Sequence, residues 1–221
     1  MIIYGSSLSP FVRKALAFAA EKELEVELKP TVPGSRDPEF LEASPFGKMP
    51  GFRDPASRTG AASDFCISDS SAIVAYFEAM KPEPNLIPTE PRARARTIWF
   101  EEYADTILAP CGGKMFFNRI VARLLGQQGD EQIAAKAESE DLPPLFDYLE
   151  RVIPESGFLV EDRLTLADLA VASPFANLRH LNVAVDPACN PKLGAYVDRI
   201  LARPSFAPWI EREIAFLRQA A

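Results

Sequence analysis

Apolar and polar positions along the chain change period several times, and each change marks an element. Residues 1–4 (MIIY) are a β-branched and aromatic run ended by Gly5, the pattern of a buried strand. A Ser-rich turn follows, then Ser9-Pro10, a good N-cap with proline at the first helical position, where its missing N–H costs nothing. Val12, Ala15, Leu16 and Ala19 recur at the three-and-four spacing of one helix face. Residues 24–29 (LEVELK) alternate as a half-buried strand, and 37–43 predict a short helix. Residues 44–52 (SPFGKMPGF) form a turn-rich connection leading into a strand at 51–53. A polar loop spans 54–64, a strand 65–68, and a helix from near Asp69 to about Met80 buries Ile73, Val74 and Phe77. The alternation predicts an α/β layer with a crossover connection.

Residues 81–91 (KPEPNLIPTEP) carry Pro82, Pro84, Pro88 and Pro91, a density that excludes a helix or a central strand and suggests an interdomain linker. Beyond it every segment reads as helical. Residues 92–108 place Ile98, Trp99, Tyr103 and Ile107 on one stripe. Pro110 and Gly112-Gly113 are expected to bend or break that helix, which resumes over 114–125. Residues 131–152, interrupted by Pro143-Pro144, then 166–181, 191–202 and 205–220 complete the set. The expected organisation is residues 1–80, a linker at 81–91, and an all-helical part over 92–221.

Composition narrows the function classes. A net charge of -7 argues against a general nucleic-acid binder and against adhesion to acidic membranes. No apolar run is long enough to span a bilayer, and the strand-like start without a basic lead-in argues against a signal peptide. Three cysteines (Cys66, Cys111, Cys189) stand far apart, with one histidine, so a structural zinc site or dithiol redox centre is not expected, and a reducing cytosol is the simplest compartment.

Four features carry candidate chemistry. Ser9 is either a plain helix cap or a hydroxyl donor to an anion held in the positive potential of the helix start, where a bound thiol would also have its pKa lowered. Met49-Pro50, if cis, turns the Met49 backbone outward to pair with an extended, peptide-like ligand. Ser68-Asp69-Ser70-Ser71 is either a second N-cap or a site where Ser70 takes a carboxylate and Asp69 an ammonium. Lys48 and Arg36 are solvated cations or, together, holders of a second carboxylate.

These segments together resemble the thioredoxin-like half of cytosolic glutathione transferases, and the match runs the length of the chain. SPFVRKALAFAAEK (9–22) is similar to the start of bacterial and plant tau-like members, GKMP (47–50) to the hydrophobic-then-cis-proline step, and ISDSSAIVAYFE (67–78) to the acidic-Ser segment. LTLADLAVASPF (164–175) resembles the C-terminal signature, in which Thr165 and Asp168 form a capping box, a folding device. The resemblance implies an N-terminal thioredoxin-like domain (βαβαββα) followed by an all-helical domain. It implies attack of a glutathione thiolate on a small hydrophobic electrophile, with glutathione as co-substrate and no metal. Ser9 matches the serine of the tau, zeta and theta classes that stabilises the thiolate. Met49, with Pro50, pairs with the cysteinyl unit; Asp69 and Ser70 hold the γ-glutamyl group; Lys48, then Arg36, face the glycyl carboxylate. Phe11, Tyr103, Ile107, Cys111 and Met115 are placed near the electrophile by helix position. A cytoplasmic, detoxifying homodimer is implied as well.

The chain departs from family patterns in three places. Ser9 stands where omega- and beta-like members carry a cysteine, which disfavours disulfide exchange. Tyr4 falls too early to be the tyrosine other classes use and reads as packing. The 54–64 loop is longer than the usual tight hairpin, long enough to reach a partner subunit or the cleft rim. Ser6 and Ser7 stay open as alternatives or helpers to Ser9. A glutathione-dependent peroxidase, reductase or isomerase, a non-catalytic binding or assembly module, and a ligand carrier are the competing readings.

Overall fold

The structure, a computed structural model, describes residues 1–220. The chain forms two compact units, Met1–Leu86 and the remainder from Ile87.

The first unit is built on a four-stranded sheet in the order β2-β1-β3-β4, with β1 at Ile2–Gly5, β2 at Glu27–Pro30, β3 at Gly51–Asp54 and β4 at Phe65–Ser68. β1 and β2 are parallel, joined by helix α1 (Pro10–Glu21); β3 is antiparallel to both β1 and β4. β4 therefore runs in the same direction as β1, and α4 (Ser70–Met80), which follows it, returns alongside α1 and packs on it. The pleat sorts side chains by face. Ile3, Phe52 and Ile67 are paired across the sheet and face α4, with the Phe52 and Phe77 rings 5.2 Å apart edge-on. Tyr4 points to the other face, where it joins Phe40 and Ala43 of α2 (Pro38–Ala43) in a second cluster. The unit is a three-layer sandwich of α2, the sheet, and α1 with α4.

β2 begins later than the alternation from residue 24 suggests. Its partner β1 starts at Ile2, which pairs with Glu27, so residues before 27 have no strand to bond to. The 54–64 loop is not open: it contains a helical turn, α3 (Ala56–Thr59), and folds back on β3. Arg58 pairs with buried Asp54, Tyr76 Oη donates to Asp54 Oδ2 at 2.5 Å, and Asp64 accepts from Ala56 N–H at 2.8 Å and from Arg53 at 2.7 Å.

The second unit is helical. α5 (Pro91–Tyr103), α6 (Ala109–Phe116) and α7 (Ala122–Leu124) follow one another without a break, joined by π-helical turns at Ala104–Leu108 and Phe117–Val121. The expected break at Pro110 and Gly112-Gly113 does not occur. Ala109 N–H donates to the carbonyl of Ala104, five residues back. The wider turn before Pro110 accommodates a residue that lacks an N–H and crowds the carbonyl four residues earlier. The same device precedes Pro143-Pro144: Leu142 N–H donates to Ala137 O at 2.9 Å between α8 (Glu131–Lys136) and α9 (Pro143–Val152). The expected apolar stripe on the first of these helices also differs. Ile98, Trp99 and Ile107 are exposed, whereas Thr97, Phe100, Tyr103 and Leu108 are buried.

α10 (Leu166–His180) is the core of this unit, buried at every position from Leu166 through Leu178 and packed on α5, α6 and α11 (Pro191–Leu201). α12 (Ala207–Gln219) closes the unit. Asp168 fixes the start of α10, accepting from the N–H of Thr165 and the N–H of Leu159, each at 2.9 Å, and from the Thr165 hydroxyl at 3.3 Å. No helix among the described residues is long and apolar enough to cross a membrane.

Candidate functional site

The register of the sheet gathers the sequence motifs. Tyr4 pairs with Gly51, and Gly51 with Ser68, so the end of β1, the start of β3 and the end of β4 are level. From that one edge leave the turn into α1, the Met49-Pro50 step and the start of α4. Two contacts tighten the arrangement. The N–H of Asp69 donates to Pro50 O at 3.3 Å. At Gly5, a Cβ would lie 2.6 Å from Val12 Cγ2 and 3.6 Å from Met49 Cβ, so only glycine lets β1, α1 and the Met49 loop meet this closely.

Ser9 is the N-cap of α1, half-buried, with extended backbone (φ -78, ψ 125). Its Oγ accepts from Val12 N–H at 3.5 Å, a long cap bond, which leaves the hydroxyl proton to donate elsewhere. No acidic residue stands in the first turn, so the positive end of the helix is not neutralised from within. Ser6 sits inside the preceding turn: its Oγ accepts from Leu8 N–H at 3.3 Å and its carbonyl from Ser9 N–H at 2.9 Å.

The Met49-Pro50 bond is cis. Among the described residues the N–H and C=O of Met49 have no hydrogen-bond partner, while its side chain packs against the Tyr4–Phe40 cluster. The neighbouring carbonyl of Lys48 is held by the Ser44 hydroxyl at 2.6 Å. Lys48 and Arg36 are both exposed, and neither has a carboxylate partner among the described residues.

Asp69 caps α4 from a left-handed backbone (φ 84), its Oδ1 accepting from Ser71 N–H at 2.9 Å and Ala72 N–H at 3.2 Å. The carboxylate is exposed and its second oxygen is uncommitted among the described residues. Ser70 is buried at the first position of the helix. The cap role and a role toward a ligand ammonium are compatible, because they use different oxygens.

The residues expected around an electrophile lie in dissimilar settings. Phe11 is half-buried in the first unit and Ile107 is exposed on the second. Tyr103, Cys111 and Met115 are buried in packing. Tyr103 Oη donates to Leu145 O at 3.1 Å, its ring lies 5.1 Å from that of Tyr148, and burial pushes its hydroxyl well above the usual range. Cys111 Sγ approaches Ala137 O at 3.9 Å.

The protein's own thiols are all disfavoured as nucleophiles. Burial raises the pKa of Cys66 and Cys111, and the Asp186 carboxylate, which accepts from Cys189 Sγ at 3.4 Å, raises that of Cys189. No group of three His, Cys, Asp or Glu side chains suited to a metal ion occurs among the described residues. One residue that tightens the edge escapes a sequence reading. Gly5 reads only as a strand end, though its place ahead of a helix N-cap is a signal of close approach.

A mixed four-stranded sheet of this order, with two helix starts and a cis-proline at one edge and a helical unit after it, defines a thioredoxin-like domain joined to an all-helical one. Residues 3–85 match the glutathione S-transferase N-terminal domain family, and residues 116–213 the glutathione S-transferase C-terminal domain family. The chain belongs to the glutathione S-transferase family. It is similar to a glutathione S-transferase of Hyoscyamus muticus, 29% identical over 218 residues, covering 96% of this chain and 98% of that one. Glutathione S-transferase 3 of Zea mays is 28% identical over 214 residues, covering 92% and 90%. Among solved structures, a glutathione S-transferase from Methylobacterium radiotolerans in complex with glutathione sulfonate has a TM-score of 0.73 and 26% identity, covering 95% of this chain and 93% of that one.

Proposed function

We propose that this glutathione transferase activates glutathione at the mouth of α1, with Ser9 donating its hydroxyl proton to the sulfur. Glutathione lies along the sheet edge. Its cysteinyl unit pairs with the unsatisfied N–H and C=O of Met49 as an added strand, beside Pro50. Its γ-glutamyl carboxylate meets the hydroxyl and N–H of Ser70 at the start of α4, and its ammonium meets the uncommitted oxygen of Asp69. Its glycyl carboxylate faces Lys48 and, further out, Arg36. The Ser9 hydrogen bond and the α1 dipole both favour the thiolate over the thiol, which raises the reactive fraction near neutral pH. The thiolate then attacks an electrophilic carbon: the C–S bond forms as the leaving group departs with the electron pair, or as an activated double bond takes up the electrons and then a proton.

The single observation that supports this reading most strongly is the level register of Tyr4, Gly51 and Ser68, which brings Ser9, Met49 and Ser70 to one edge. The co-substrate is small and hydrophobic; Phe11, half-buried two residues after Ser9 in the first unit, is the residue of the expected set we assign to it. We further propose a cytoplasmic, detoxifying homodimer. Phe46, 89% exposed on the loop before Met49, is the apolar side chain we assign to the contact between subunits.

The test is retention on immobilised glutathione followed by a conjugation assay with a generic aryl halide. Retention and glutathione-dependent turnover are expected. A chain that neither binds the column nor binds free glutathione by calorimetry overturns the proposal.

A further inference from the structure

We propose that Lys22 is a positioning residue for the glutathione site: it ties the C-terminal ends of α1 and α4 together and so sets the separation of Ser9 and Ser70 at their other ends. This rests on the functional reading above.

The Lys22 ammonium is fully engaged. An ammonium has three protons to donate. That of Lys22, fully buried, donates to the carbonyls of Lys81 at 2.8 Å, Pro82 at 3.1 Å and Pro84 at 2.6 Å, and pairs with the Glu78 carboxylate. These acceptors are the last turn of α4 and the segment just after it, whose carbonyls have no helical N–H ahead of them. Glu78 is held in turn by Asn85 Nδ2 at 3.0 Å. A second pair runs in the opposite sense, from Lys81 of the α4 end to Glu23 of the α1 end at 3.3 Å. Glu23 itself adopts a left-handed backbone (φ 51) that stops α1, with Glu23 N–H bonded to Ala20 O and Leu24 N–H to Ala19 O, each at 2.9 Å. Cation and anion are thus exchanged between the two helix ends, and the buried ammonium is the centre of the joint.

The two helices run parallel, pack along their length and have nearly equal size, 12 and 11 residues. Their C-termini meet at Lys22; their N-termini carry Ser9 and Asp69-Ser70. Helices of this length are stiff rods of about 17 Å. A change of about 5° in their crossing angle at the joint displaces the far ends by about 1.5 Å. The tripeptide must reach both ends simultaneously, so such a shift weakens its grip and takes its sulfur out of line with Ser9.

The experiment compares wild type, Lys22→Met, Lys22→Arg and Glu78→Gln, each first shown to be folded by circular dichroism. The readouts are KM for glutathione, kcat at saturating glutathione, and the thiolate titration of bound glutathione. Lys22→Met is expected to raise KM about tenfold and move the thiolate titration to higher pH, with Lys22→Arg recovering most of both. Glu78→Gln, which keeps shape and removes the counter-charge, is expected to shift both in the same direction by less, and serves if Lys22→Met does not fold. A residue that only holds the fold together lowers the unfolding midpoint but leaves KM and titration of the folded fraction unchanged. Values within twofold of wild type in every folded variant overturn the proposal. Wild type that fails to bind glutathione overturns the functional reading instead, so the two failures are distinguishable.

Discussion

The N–H of Asp69 donates to the carbonyl of Pro50 at 3.3 Å, so the cap of one helix is bonded to the loop that presents the backbone of Met49. Two segments far apart in the chain, each ambiguous alone, thereby share one rigid edge. The variants below separate what each residue does at that edge from what it does for the fold.

In the role proposed for Ser9, Ser9→Ala removes one hydrogen bond to a thiolate, of the charge-assisted kind worth about 1.5–3 kcal/mol. The thiol pKa of bound glutathione is expected to rise by about one to two units, and kcat/KM near neutral pH to fall about 10- to 100-fold. Loss of the cap costs stability as well, at the low end of about 0.5–2 kcal/mol because the cap bond is 3.5 Å long. Thiolate absorbance against pH measures the first effect and urea unfolding the second. A titration unchanged by the mutation removes Ser9 from the mechanism, whatever happens to stability.

Asp69→Asn is the discriminating change at α4. Asparagine caps about as well as aspartate, so the bonds to Ser71 and Ala72 survive and stability stays within about 0.5 kcal/mol. The charge is lost, so glutathione affinity is expected to drop about tenfold, as for one partly exposed ion pair with the ligand ammonium. Ser70→Ala is expected to raise KM with little change in kcat at saturation, since it touches the ligand far from sulfur. Isothermal titration with Asp69→Asn showing wild-type affinity leaves Asp69 as a cap and nothing more.

Gly5→Ala places a methyl 2.6 Å from Val12 Cγ2, inside the first turn of the helix that Ser9 opens. Overpacking of this kind costs about 1–3 kcal/mol. Because the strain falls between β1 and α1, the folded fraction is expected to bind glutathione more weakly too. Thermal unfolding and calorimetry together check both halves, and wild-type behaviour in both refutes the close approach.

Burial pushes Asp168 up to about 6, outweighing the hydrogen bonds from Leu159 and Thr165 that favour its ionised form. In the unfolded chain such a group titrates near 4, so between about pH 4 and 6 the folded protein holds the proton more tightly. The contribution of Asp168 to stability is therefore present below about pH 4 and is lost as pH rises through about 6, by about 3 kcal/mol at most. Unfolding free energy measured across that window should fall more steeply in wild type than in Asp168→Asn, which cannot titrate. Parallel profiles contradict the shift.

Much of the first unit was legible in the residues because local chemistry decides it. Ser9-Pro10 announces a helix start; Gly5 and Gly51 bound strands; the FCIS run of residues 65–68 is the strand it resembles. The candidate site was legible as motifs, but the level register that assembles it is a property of strand pairing and does not show in any one segment. The second unit was less transparent, for an identifiable reason. A π-helical turn inserts one residue into the helical period, so the next large buried side chain after Tyr103 is Leu108 rather than Ile107. Pro110 and Pro143 look like breaks to a reader who allows only the four-residue spacing; the wider turn lets the helix pass them. Lys22 was invisible for a different reason, because its acceptors are backbone carbonyls some 60 positions away, which carry no residue signature.

The states of the three cysteines bear on selectivity as well as on structure. Burial raises the proton affinity of Cys66 and Cys111, and the Asp186 carboxylate that of Cys189, so under the proposed function a sulfur-seeking compound is directed to the loaned thiolate and away from the resident sulfhydryls.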